Sequence, residues 1–107
     1  MFMNEYEVER ARDKYRGTEP LGEATEVLAN LMWWTNSNSD GWPYWQAPRK
    51  AAARLVALIQ SVEAGPWGQR RDEETITAAE VRRTYAPIKA FLTKRGVDHA
   101  VIFGGAQ

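Results

Sequence analysis

No cysteine occurs among the 107 residues, and there is a single histidine. Without thiols there is no disulfide framework and no thiolate metal site, so a reducing, cytoplasmic setting is expected. His99 lies beside Asp98 with no second histidine to complete a usual zinc ligand set, and it reads as a surface histidine near a helix end. Nor does any stretch approach the roughly 18 apolar residues of a membrane span, and the N-terminal MFMNEYEVERARDKYR is too charged to serve as a leader. Excess charge of one sign is missing too: fourteen basic side chains balance fourteen acidic ones. A neutral total argues against a protein devoted to neutralising phosphates. The balance is uneven along the chain, with four basic and eight acidic residues in 1–48 and ten and six in 49–107.

Signatures of catalysis are lacking as well. Gly65-Pro-Trp-Gly68 has no following lysine and no preceding strand, so it is not a phosphate loop. Ser37, Ser39 and Ser61 have no G-x-S-x-G context. Asn36-x-Asn38-x-Asp40-Gly41 resembles the first half of a calcium loop, but Ala47 stands where a bidentate glutamate is required, and the segment reads as a polar turn that breaks a helix. No enzyme activity, metal or cofactor is expected.

What the chain does have is helical periodicity. Asn4 with Glu7 three residues later opens a helix over 4–16 whose apolar face is Val8, Ala11 and Tyr15, and Gly17 ends it. A second helix begins after Thr18, with Pro20 in its first turn and Leu21, Ala24, Leu28 and Leu31 on one side. A third starts near Ala47 and buries Ala51, Leu55, Leu58, Ile59 and Val62; Ala51, Ala52 and Ala53 allow a close helix approach. Thr77 and Glu80 form a capping box, flanked by an Ile76/Val81 staple, for a last helix that starts at Ala78 and ends at Gly96. Its stripe is Val81, Tyr85, Ile88 and Leu92, and Pro87 should kink or split it near residues 83–86. Residues 100–103 are apolar enough to dock as a short strand or turn. The expected fold is therefore all-α: a compact bundle of about four helices in one domain, 1–103, with a loose tail at 104–107.

Aromatics are concentrated in residues 33–45 (WWTNSNSDGWPYW), which hold four of the five tryptophans. At 100° per residue Trp34 joins the apolar side of the second helix and Trp33 points away with Glu26 and Asn30, so one core cannot take both. An ordered aromatic loop after this helix is expected, with Trp33, Trp42, Tyr44 and Trp45 as a partner-binding surface, because Trp and Tyr are favoured interface anchors. The alternative is nucleic-acid binding through the basic side of the last helix, Arg82, Arg83, Lys89, Lys94 and Arg95, to which the third helix adds Arg49, Lys50 and Arg54. Self-association is left open.

The stretch 28–59, with N-S-D-G-W-P-Y-W followed by P-R-K-A-A-A-R-L-V-A-L-I, resembles small uncharacterised accessory proteins encoded by phages of actinobacteria. The resemblance implies a non-virion protein made inside an infected bacterium that acts by binding a host factor. It carries over no catalytic residue.

Overall fold

Asn4 opens the first helix, α1 (Glu5–Tyr15), with both halves of a capping box. Its side-chain oxygen accepts from the Glu7 amide at 2.8 Å, and the Glu7 carboxylate accepts from the Asn4 amide at 3.3 Å. Val8, Ala11 and Tyr15 are buried, as the spacing predicts. These elements belong to a computed structural model that describes residues 3–37, 46–62 and 71–103.

Gly17 turns the chain with φ of 76°, and α2 (Leu21–Ser37) follows. Leu21, Ala24, Leu28 and Leu31 are all buried. The helix continues through Asn36 and Ser37, which were expected in the polar turn. Asn and Ser cost a helix only some tenths of a kcal/mol more than Ala, so the breaking signal acts after them. Residues 38–45, the expected aromatic loop, lie outside the described residues.

The next helix, α3 (Gln46–Ser61), buries Pro48 in its first turn and then Ala51, Leu55, Leu58 and Ile59, with Val62 just beyond its end. Val56 is buried too. Of the three consecutive alanines only Ala51 is fully buried, Ala52 being half-buried and Ala53 exposed, because neighbouring positions fan out by about 100°.

A single 3₁₀ turn at Glu73–Thr75 leads into α4 (Ala78–Arg95), which starts where its motif predicts. Ile76 and Val81, the staple pair, are both buried. Only half of the expected capping box forms: the Thr77 hydroxyl accepts from the Glu80 amide at 3.1 Å, but the Glu80 carboxylate is held by both terminal nitrogens of Arg71, each at 2.7 Å. A two-pronged, charge-assisted pair outcompetes one neutral amide. The Pro87 ring does not split α4. Buried Tyr85, Ile88 and Leu92 on both sides hold the helix together where one backbone bond is missing. Gly96, at φ of 69°, closes it by donating to the Leu92 and Thr93 carbonyls.

Residues expected as a strand or turn form one helical turn, α5 (Ala100–Phe103). The Asp98 carboxylate accepts from the Ala100 amide at 2.9 Å, and Asn30 Nδ2 donates to the Ile102 carbonyl at 2.8 Å. Both ends of the turn are thus satisfied from outside it, which so short a helix needs. The rest of the chain after it lies outside the described residues.

Among the described residues there is no strand. Helix α2 is central, touching α1, α3, α4 and α5. The Arg71 amide donates to the Ser61 carbonyl at 2.6 Å while its guanidinium grips Glu80, so the end of α3 meets the beginning of α4. These two helices therefore pair antiparallel, in the most extensive helix contact described. The radius of gyration, 13.6 Å, is close to the ~13 Å of a single folded domain of this length.

Candidate functional site

Two adjacent tryptophans on α2 meet opposite fates. Trp34 is half-buried and packs against the core, whereas Trp33 is 67% exposed. This division is what their 100° separation dictates. Asn30 shares the Trp33 side of the helix three residues earlier, and its bond to the Ile102 carbonyl pins α5 there. Val101, 40% exposed, sits on that pinned turn. Of the four residues expected to form the aromatic surface, Trp33 is placed outward, and Trp42, Tyr44 and Trp45 lie outside the described residues.

Behind α5 is a polar and aromatic cluster that sequence reasoning missed. The Tyr85 hydroxyl donates to Glu23 Oε1 at 2.8 Å, linking α4 to α2 across 62 residues. Burial raises the Tyr85 phenol to about 12, and the bond to Glu23 adds to this because it favours the protonated form. Phe103 packs against Tyr85 with the rings tilted by 56° and their centroids 4.9 Å apart, and the Lys89 ammonium lies over both rings, at 5.4 and 4.9 Å. His99 is half-buried, with Nε2 2.8 Å from the Thr93 hydroxyl and its ring edge-on to Phe103. The available signal was Tyr85 itself, since a buried tyrosine needs an acceptor. Periodicity could not name Glu23 as that acceptor.

The five basic residues expected to share one side of α4 do not. Arg82 and Lys89 lie within about 20° of each other, Arg83 and Lys94 form a second pair roughly 100–120° further round, and Arg95 occupies a third direction. Lys89 is committed to its two rings, and the Arg95 guanidinium lies 5.0 Å from the centre of the Phe91 ring. The reason is spacing: residues seven or eleven apart align on a helix, and the set 82, 83, 89, 94 and 95 mixes alignments.

An open groove of about 420 Å³ lies where the ends of α1 and α3 meet the 3₁₀ turn, lined by Lys14, Tyr15, Val62, Asp72 and Glu73. Two of its three charged groups are already engaged. The Lys14 ammonium lies over the Tyr15 ring at 5.2 Å, and the Asp72 carboxylate caps the 3₁₀ turn by accepting from the Glu74 amide at 3.0 Å. Asp98 and His99 take no part in this groove. Close by, the Arg71 guanidinium also donates to the hydroxyl and carbonyl oxygens of Thr75, so one side chain ties the turn to α4. The bond from Arg71 holds the Glu80 carboxyl below its usual value, against a smaller opposing effect of burial.

Comparison with protein-family models, with curated proteins and with solved structures finds no match. Among the described residues no group of three or more His, Asp or Glu side chains could hold a metal ion, and no helix is long and apolar enough to cross a membrane.

Proposed function

We propose that this is a non-catalytic binding protein whose partner is another protein, engaged through Trp33 and the neighbouring turn α5. The observation that carries the reading is the outward Trp33 on a helix whose next residue, Trp34, is anchored in the core. An indole presented from a fixed helix loses few rotamers on binding and buries a large area, which is why Trp dominates interface hot spots. Trp42, Tyr44 and Trp45, within eight residues of the end of α2 in sequence, are assigned to the same interface. The resemblance to phage accessory proteins makes a cytoplasmic host factor the class of partner.

The test is capture from a bacterial lysate on immobilised protein, followed by a titration of each captured protein against the wild type and Trp33→Ala. Loss of a hot spot costs about 2 kcal/mol or more, so affinity for the true partner should fall roughly 30-fold or more. The substitution should leave the circular dichroism unchanged, since the side chain is outside the core. A partner held equally by both proteins would place the interface elsewhere.

A further inference from the structure

The outward sides of α3 and α4 are built from an unusually restricted set of residues. Among the described side chains of these helices thirteen are exposed: Arg or Lys at 49, 50, 54, 82, 83, 94 and 95, alanine at 53, 57, 79, 86 and 90, and Thr93. None is acidic and none is large and apolar. Across both helices eight basic residues face one acid, Glu80, and Arg71 already holds that carboxylate. The neutral total of the chain is reached by segregation, since residues 3–37 carry seven acidic and four basic side chains.

The antiparallel pairing sets the two basic helices side by side. It brings Lys50 and Arg54, in the first half of α3, to the end of the pair that carries Lys94, while Arg83, which shares the direction of Lys94 on α4, lies towards the other end; Arg82 and Arg95 point elsewhere round α4. Helices of 16 and 18 residues are about 24 and 27 Å long, and paired helices lie about 8–10 Å apart. A duplex segment of that length carries about fifteen phosphates, at one charge per ~1.7 Å. Alanines between the basic residues let a rigid phosphate row approach closely.

We propose that this surface binds the phosphate backbone of double-stranded nucleic acid. It is separate from the Trp33 surface and stands or falls independently of it. Two helices side by side exceed a major groove of about 12 Å, which admits one helix, so contact runs along the backbone rather than into the groove, and binding is insensitive to sequence. An anionic membrane fits less well, because interfacial helices carry bulky apolar anchors beside their charges and none is exposed here.

Fluorescence anisotropy with two unrelated labelled duplexes of about 20 base pairs tests this. Both should bind alike. With four or more phosphates neutralised, affinity should drop by about 10² or more between about 50 and 200 mM salt, a log–log slope of roughly −3.6 or steeper. Lys50→Glu/Arg54→Glu on α3 and Arg83→Glu/Lys94→Glu on α4 should each weaken binding at least about tenfold, and Trp33→Ala should not. If a charge reversal disturbs the fold, the same pairs changed to Gln replace it, with a smaller loss and a shallower slope expected. Absence of binding at about 50 mM salt, a slope shallower than about −3, an α3 double variant that binds as the wild type does, or stronger binding to phosphatidylserine vesicles than to duplex would each overturn the proposal.

Discussion

Replacing Gly22 by alanine sets two physical effects of known size against each other. Gly22 is the second residue of α2, and in a helix alanine is favoured over glycine by about 0.8–1 kcal/mol. On intrinsic preference alone Gly22→Ala should stabilise the protein. The end of α1 crosses there, however, and a Cβ on Gly22 would stand 2.6 Å from the Tyr15 carbonyl oxygen. Ordinary contact begins near 3.4 Å, so the two helices must separate by about 0.8 Å. That oxygen belongs to the backbone and cannot swing aside. It also accepts from the Thr18 amide at 2.9 Å, within the short turn joining the helices, and Tyr15 itself is buried.

Overpacking of this kind costs about 1–3 kcal/mol, which exceeds the helix gain. The net expectation is a loss of up to about 2 kcal/mol and a fall in Tm of up to roughly 15 °C. Thermal and urea denaturation followed by circular dichroism measure it. Gly17 and Gly96 supply the contrast, because a Cβ there meets nothing within 4 Å but the backbone φ is positive, 76° and 69°. Alanine at either should cost about 1 kcal/mol or more, and asparagine, which tolerates that backbone, should recover part of the loss. At position 22 asparagine should be no better than alanine. A Gly22→Ala protein more stable than the wild type would refute the close approach of α1 and α2.

Two further outcomes follow from the charged and polar pairs. Glu80 titrates lower in the folded than in the unfolded chain, so its contribution is present above the ordinary value of 4.5 and is lost as pH falls through the lower folded value; Glu80→Gln should flatten the acid limb of the stability-versus-pH curve below about pH 4.5, and an unchanged limb would mean that the Arg71 pair does not persist in solution. Tyr85 titrates higher when folded, so its contribution is present below the ordinary value of 10 and is lost as pH rises towards about 12. The tyrosinate absorbance of the wild type should include a late-ionising fraction that Tyr85→Phe removes. Because the hydroxyl bonds a charged acceptor, the same change should cost roughly 1.5–3 kcal/mol near neutral pH, read by urea denaturation.

The sequence determined whatever depends on neighbours a few residues apart. Period 3.6 put Val8, Ala11 and Tyr15 on one stripe and Val81, Tyr85, Ile88 and Leu92 on another, and the 100° step sent Trp33 out and Trp34 in, because helix geometry is the same whatever the helix packs against. The tertiary structure decided every competition among distant partners. The same local motif, a cap with a glutamate three residues later, closes fully at Asn4 and Glu7 but only half closes at Thr77 and Glu80, because folding delivers Arg71 to the second glutamate. Glu23 reaches Tyr85, Asn30 reaches α5, and basic residues of α3 and α4 come side by side only once the ends of these helices are brought together. Spacing along a chain says which side of a helix a residue occupies; what stands opposite depends on long-range packing, where the strongest available donor or acceptor wins.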